Sequence, residues 1–263
     1  TDGRRATVAF STDWEIDAAR RDFTMNAMSM ASDGRLYDYF DGAADLRAGR
    51  VRFVGEARRR IDEDALRILR LFRLHASYGR GAIDPPTLAA CADRVENLRI
   101  LSAERIATEL FKLLAAPDPG DAVAAMAEIG ALSRLLPGAD DAGRLRRLIA
   151  VEGVRLGGDP LRRLAGLHPA TADRYEGGDT AARLKLSRAD SRRLEMILEN
   201  KDRPDPDGSE GANAAAIHGL GPEIFRDRVA LAWADALAAA PNPGRFAAEG
   251  WMALLAAADD WGD

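Results

Sequence analysis

The 263-residue chain contains one cysteine, three histidines and three lysines, and no apolar run approaching the roughly 18–20 residues needed to cross a bilayer. One thiol, Cys91, cannot form an internal disulfide, suits a reducing cytoplasm, and at an apolar helical position reads as plain core. The opening Thr1-Asp-Gly-Arg-Arg5 has no apolar segment of the kind a secretory leader requires, so neither a leader nor a membrane anchor is expected. What the chain has in quantity is arginine: 34 residues against three lysines, within a net charge of −5. The charge alternates in blocks, +2 over 1–80, −5 over 81–143, +4 over 144–200 and −6 over 201–263. An acidic total argues against a generic polyanion binder, but contact with phosphate needs only local positive surface.

Apolar content of 47% with 30% charged residues is ordinary for a globular protein, and the length allows one large domain or two to three small ones. The pattern predicts an α+β chain that is predominantly α. Strand signals fall at Ala6–Phe10 (core Thr7–Phe10) and Leu36–Tyr39, with an Asp33-Gly34 turn between Met28–Ala31 and Leu36, and a short apolar strand follows over Arg50–Gly55. Two or three such strands are marginal alone, so residues 1–52 read as the back of a larger sheet. From about residue 56 the chain reads as helix. Ser102 is an N-cap for a helix over Ala103–Ala115 that ends at Pro117-Asp-Pro-Gly120. Further helices are expected over 121–136, 144–156, 161–167, 180–186, 188–200 (capped by Ser187), 222–240 and 245–258, with a polar loop at 201–209. Trp14, Trp233 and Trp251 are expected in core packing. No repeat of fixed period is present.

Residues 63–74, Glu-Asp-Ala-Leu-Arg-Ile-Leu-Arg-Leu-Phe-Arg-Leu, hold the most information. On one helix, Ile61, Ala65, Ile68, Leu69, Phe72 and Ala76 form a buried stripe, while Glu63, Asp64, Arg67 and Arg70 line up beside it with Arg73 one step further. A carboxylate only accepts hydrogen bonds and a guanidinium only donates them, so an Asp–Arg pair one turn apart can present a fixed pattern to the edge of a nucleobase. The same spacing also describes an ordinary solvated face, worth only ~0.2–0.5 kcal/mol per pair.

Some forty residues upstream stands Arg20-Arg-Asp-Phe-Thr-Met-Asn-Ala27. Together with Asp38-Tyr-Phe-Asp-Gly-Ala-Ala-Asp-Leu46, Arg50-Val-Arg-Phe-Val-Gly55, Glu63-Asp-Ala-Leu-Arg67 and Leu101-Ser-Ala-Glu-Arg-Ile106, it resembles the class II tRNA nucleotidyltransferase (CCA-adding enzyme) and bacterial poly(A) polymerase family. Motif order and spacing agree over residues 1–116. Beyond that the likeness is one of helical character, with Leu184-Lys-Leu-Ser187 leading into a basic helix.

The resemblance implies a nucleotidyltransferase head ending near residue 52, a helical neck at 53–116 and a helical body or tail at 117–263. It implies template-independent addition of C and A to the 3′ end of tRNA from CTP and ATP. By the same resemblance, Asp64 and Arg67 contact the base edge, Arg70 and Arg73 the triphosphate, Arg21 the nucleotide, and Asp22 and Asn26 its ribose side. For Arg20 a surface ion pair with Glu15 or Asp17 is the competing expectation. The family's Gly-Gly and Asp-x-Asp region, whose carboxylates hold two Mg²⁺ ions, has no counterpart here, so the expectation is an N-terminally incomplete enzyme, inactive as an isolated chain, with no catalytic or metal residue of its own. Where the family has Asp-Pro-Phe-Gly-Gly this chain has Asp38-Tyr-Phe-Asp-Gly42, which changes the turn. The Ser102 motif reads as structural, Ser102 and Glu104 capping a helix that buttresses the 63–74 helix. None of His75, His168 and His218 precedes Asp, so the His-Asp phosphohydrolase module of some members is not expected, and His75 reads as core. The same motifs also serve poly(A) polymerases and A-only or CC-only enzymes, and a non-catalytic RNA-binding adaptor would retain neck and body.

Overall fold

Asp13 accepts hydrogen bonds from the amides of Glu15 and Ile16, and so starts helix α1 (Trp14–Ala19) in the computed structural model, which describes residues 13–199, 203–239 and 248–261. The strand expected at Thr7–Phe10 lies outside the described residues. Strands β1 (Ser29–Met30) and β2 (Leu36–Tyr37) form an antiparallel hairpin whose turn uses Gly34 at φ +84°, as the Asp33-Gly34 pair requires. The expected strand over Arg50–Gly55 does not form. Instead this extended segment makes a single bridge, Phe23 to Phe53, with Thr24 N donating to Arg52 O (2.9 Å) and Val54 N to Asp22 O (3.0 Å). Gly55 at φ +75° then turns the chain away, so the ladder stops after one rung.

Helix α2 (Gly42–Ala48) is started by Asp38, whose two carboxylate oxygens accept from the Gly42 and Ala43 amides at 2.8 and 2.9 Å. Burial works against the charged form of Asp38, but these amides outweigh it and hold the carboxyl below its ordinary range. Asp41 stands in the left-handed region at φ +60°, where a glycine would sit without a steric cost.

The helix expected to run unbroken through 63–74 is two helices. α3 (Ala57–Glu63) ends at Asp64, which is extended (φ −157°, ψ 109°), and α4 (Leu66–Tyr78) begins two residues later. Asp64 Oδ1 accepts from Leu66 N at 3.0 Å, so the carboxylate caps the new helix and competes with helix propagation at its own position. Arg67, Arg70 and Arg73 do share a face of α4. Ile61, Ala65, Ile68, Leu69 and Phe72 are buried as their spacing demands, and so are Leu66, Leu71, Leu74 and His75. Burial pushes the pKa of His75 down, and the side chain belongs to the core.

Next come α5 (Pro85–Ala92), a 3₁₀ segment (Val95–Ile100) and α6 (Ala103–Leu114), capped by Ser102 as its sequence indicates. Glu104 shares in that cap, hydrogen-bonded to Ser102 and to its own backbone amide, and its carboxylate also pairs with Lys185 at 2.7 Å. The expected 121–136 helix is divided into α7 (Gly120–Glu128) and α8 (Ala131–Leu135) by Gly130 at φ +72°. The rest is helical: α9 (Ala142–Arg155), α10 (Pro160–Gly166), α11 (Arg174–Leu184), α12 (Arg188–Leu198), α13 (Glu210–Leu220), α14 (Pro222–Ala239) and α15 (Ala248–Asp259). α11 starts earlier than the apolar pattern suggests because Asp173 and Glu176 form a capping box.

One continuous set of buried side chains runs from Phe23 through Phe72, Leu113, Leu148 and Val229 to Leu255. α4 packs on α6 and α7, and α6 packs on α10 and α11. Trp233 and Trp251 stack with ring centroids 6.4 Å apart in this core. Trp14, expected there too, is 66% exposed, because α1 buries only Ala18 among the described residues. Cys91 is buried and its thiol is pushed up to about 12, which leaves it unreactive. No described helix is long and apolar enough to cross a membrane.

Buried arginines knit the helices of the second half. Arg163 Nε meets Glu152 at 2.6 Å, its Nη1 donates to the carbonyls of Leu114 and Ala116 (both 2.6 Å), and its Nη2 reaches Pro117 O. The orphan carbonyls at the end of α6 are thereby satisfied. Arg162 joins Glu152 to Asp227, which Arg193 also binds. Arg144 binds Asp235 and donates to the carbonyls of Ala165 and His168 at the end of α10.

Candidate functional site

Three short devices bring residues 20–26 against α4. Gly42 lies so close to the Thr24 carbonyl that any Cβ would collide with it. Asp45, fully buried, accepts from Thr24 Oγ1 at 2.7 Å and from Arg52 Nε at 2.8 Å. Arg60, also buried, donates to the backbone carbonyls of Ala19, Arg21 (2.9 Å) and Val54 (3.0 Å) and to Glu63 at 2.7 Å. One guanidinium therefore ties the 19–22 segment to the end of α3.

Between these pieces lies an open cleft of about 760 Å³, lined by Arg20, Arg21, Asp22, Met25, Asn26, Leu46, Asp64, Arg67, Arg70, Arg73, Leu74 and Tyr78. All seven residues singled out from the sequence, Arg21, Asp22, Asn26, Asp64, Arg67, Arg70 and Arg73, meet there. Asp22 Oδ1 accepts from Phe23 N (2.9 Å) and Asn26 Nδ2 (3.0 Å), while its Oδ2 lies 2.6 Å from Arg70 Nε. Asp22 thus anchors both Asn26 and Arg70. Arg67 Nη1 binds Glu63 (2.6 Å) and the Arg60 carbonyl (2.8 Å). Burial would raise the Glu63 carboxyl, but hydrogen bonds from Arg67 and Arg60 overcome it and hold the group below its usual range. Arg73 Nε meets Glu109 of α6 at 2.6 Å. Arg21, rather than Arg20, makes the surface ion pair with Asp17, at 3.0 Å. Arg20 makes no ion pair among the described residues.

Asp64 Oδ2 accepts from Arg105 of α6 at 2.7 Å, in a pair whose side chains are 48% and 34% exposed. Helix α6, which Ser102 caps, therefore supplies Arg105 and Glu109 as partners of Asp64 and Arg73, and both escaped the sequence reading. A signal for Glu109 was present: it interrupts the apolar stripe Ile106, Leu110, Leu113 of α6. Arg60 left a similar trace, a charged residue at the buried edge of α3 beside Ile61. Chemically the cleft offers several guanidiniums, each with donors to spare, beside a carboxylate at a helix junction. Such a set fits a polyphosphate and the polar edge of a base. No cluster of three or more metal-ligating side chains exists among the described residues.

Residues 1–52 match the family model described as "Poly A polymerase head domain", and 82–142 match "Probable RNA and SrmB-binding site of polymerase A". The chain is 53% identical over 119 residues to CCA tRNA nucleotidyltransferase 1, mitochondrial, of Homo sapiens. Over these segments the chain is similar to members of the CCA-adding enzyme and poly(A) polymerase family. That human alignment spans 43% of this chain and 27% of the relative. The CCA-adding enzyme of Levilactobacillus brevis is 45% identical over 120 residues, 45% of this chain and 30% of the relative. The matched regions thus span well under two thirds of these relatives' lengths. Among solved structures, the Bacillus stearothermophilus CCA-adding enzyme in complex with CTP superposes with a TM-score of 0.72 at 28% identity, covering 95% of this chain and 60% of that one. The Thermotoga maritima CCA-adding enzyme complexed with tRNA shares the fold, with a TM-score of 0.65 at 21% identity over 93% of this chain and 60% of that one.

Proposed function

We propose that the protein to which this chain belongs adds C and A to the 3′ end of tRNA without a nucleic-acid template, using CTP and ATP. The observation that carries the reading is the cleft itself, in which an acceptor–donor pair, Asp64 and Arg67, stands beside Arg21, Arg70 and Arg73. Asp64 and Arg67 read the base edge. A wrong base leaves one of these groups unsatisfied, at ~1–3 kcal/mol for each, and that difference supplies selectivity. Arg21, Arg70 and Arg73 hold the triphosphate, and Asp22 with Asn26 holds the ribose side. An incoming base competes with Arg105 for Asp64 Oδ2, and the exposure of that ion pair keeps the exchange cheap.

Mg²⁺ belongs to this reading: bound, it would activate the attacking hydroxyl and neutralise the leaving pyrophosphate. Head, neck and body, divided near residues 52 and 116, remain the working division, and a reducing compartment suits the single buried thiol. A second reading, poly(A) synthesis, is favoured by the descriptions of the two matched family models.

The test is nucleotide incorporation into tRNA lacking its 3′ CCA, by the chain at its full natural length, with CTP, ATP or both. CCA addition that stops after A supports the first reading, and continued A addition the second. Tight tRNA binding without incorporation points to an adaptor. Asp64→Ala and Arg67→Ala are expected to scramble C/A choice while leaving the fold intact; unchanged nucleotide choice in both would remove the base-reading assignment.

A further inference from the structure

A second cavity belongs to the last three helices. α13 and α15 both pack on α14 and run side by side in the same direction. Gly250, in the first turn of α15, comes so near Pro206, in the turn before α13, that a Cβ there would press on it. At the other end His218 of α13 stands 6.5 Å, ring centroid to ring centroid, from Trp261. Between the two helices lies an open groove of about 400 Å³. α13 lines it with Glu210, Asn213, Ala214 and Ile217, and α15 with Gly250, Ala253, Leu254 and Ala257. Each set is spaced i, i+3, i+4, i+7, so one whole face of each helix borders the gap.

The groove is apolar along its length and acidic at one end. Ile217 and Leu254 are buried in it, while Ala253 and Ala257 are exposed above them. From Gly250 to Trp261 is roughly 16 Å, three helical turns. Small side chains on both sides admit the backbone of a third helix, and the ridge of such a helix fits between two parallel ones. Where α13 and α15 begin, Asp205, Asp207, Glu210 and Glu249 are exposed, and none makes an ion pair with a described residue. The stretch 201–263 carries −6, and its described arginines are spent, Arg203 on Asp235, Arg226 on Asp259 and Arg228 on Glu199. Such a rim repels phosphate and attracts cations.

We infer that the groove between α13 and α15 is a docking site for a basic amphipathic helix of another protein. Its apolar ridge lies along Ile217 and Leu254, and its Lys or Arg side chains meet Asp205, Asp207, Glu210 and Glu249. Apolar contact over three turns supplies the area, and the acidic end fixes direction and selects a cationic partner over an anionic one. The inference uses no residue of the cleft and stands apart from the nucleotidyl-transfer reading.

The test is fluorescence anisotropy of this chain with a labelled helical peptide of about 15 residues, long enough to cover the groove, with Leu on one face and Lys on the other. The same peptide with Glu in place of Lys is its control. The Lys peptide is expected to bind at least about tenfold more tightly than the Glu peptide, and to weaken as salt rises. Ala253→Phe, which fills the groove from an exposed position, should weaken binding about tenfold or more. Glu210→Gln with Glu249→Gln should weaken it about three- to tenfold. Met252→Gln, exposed on α15 but outside the groove, should leave it within about twofold. Should circular dichroism show that Ala253→Phe disturbs the fold, the paired glutamate variant decides. Equal binding of the two peptides, or wild-type affinity in the groove variants, would overturn the inference. An RNA 15-mer whose affinity falls as far in Ala253→Phe would reassign the groove to RNA. A dimer in sedimentation that Ala253→Phe abolishes would assign it to a second copy of the chain, and either result overturns the inference as well.

Discussion

The arginines of the cleft and those of the helical second half are the same side chain put to opposite uses. Arg144, Arg162 and Arg163 are 4–5% exposed, and every guanidinium nitrogen of each has a protein partner. In the cleft, Arg21, Arg67, Arg70 and Arg73 each engage a carboxylate through one nitrogen and line the open cleft, their side chains 16% to 57% exposed. A fork with all its donors satisfied internally is a structural rivet. One with two nitrogens unspent in an open, water-accessible cleft has donors left for a ligand. Counting unspent donors thus separates binding arginines from structural ones, which a tally of 34 arginines cannot do.

The sharpest way to break this comparison is to remove a rivet. Arg163→Met is expected to cost about 3 kcal/mol or more in urea unfolding, since it leaves the Leu114 and Ala116 carbonyls and part of the Glu152 carboxylate unsatisfied in the interior. A loss below about 1 kcal/mol would show that water reaches these groups and that the closed network is only apparent.

Next in size is a pH effect confined to the second half. His168 is buried, and neither ring nitrogen finds a partner among the described residues. Burial, with the Arg144 guanidinium adding to it, pushes its pKa down to about 4. The unfolded chain, with an ordinary histidine, takes up the proton first. The stability that neutral His168 permits is therefore complete above about pH 6.5 and is lost as pH falls from there toward 4, by about 3 kcal/mol at most. Chemical denaturation at stepped pH should show this slope, and His168→Leu should remove it.

On the cleft side the expectation reverses. Arg21→Gln should alter stability by less than about 1 kcal/mol, because its ion pair with Asp17 is solvent-exposed, yet weaken ATP or CTP binding about tenfold in calorimetry. Equal effects on stability and binding would erase the distinction drawn above. The smallest expected change is Asp41→Gly, which relieves a left-handed backbone at φ +60° and should stabilise the chain by up to about 1 kcal/mol in thermal unfolding.

Legibility followed the range of the interactions. Ser102, Ser187 and Asp33-Gly34 act within three residues of themselves and were readable as caps and turn. The break at Asp64 was not, because the same residues suit either a continuous helix or a capped restart, and the choice lies with Leu66 N, Arg105 and the packing of α3 against α5. Helix 121–136 failed at Gly130 for a simpler reason: one glycine inside an apolar pattern is tolerated in some helices and ends others. The seven cleft residues were named through motifs that resemble a known family, and the geometry then gathered them in one place.

Local chemistry along the chain decided where helices start, which faces are apolar, that no disulfide can form, and which motifs travel together, since each depends on neighbours a few residues apart. Packing decided which arginines are spent and which are free, that Asp64 answers to Arg105, and that Arg60 holds the 19–22 segment in place. Those partners lie 39 to 41 residues apart in sequence, and a guanidinium five bonds long reaches any carbonyl or carboxylate the fold brings within range. Spacing alone does not choose among them.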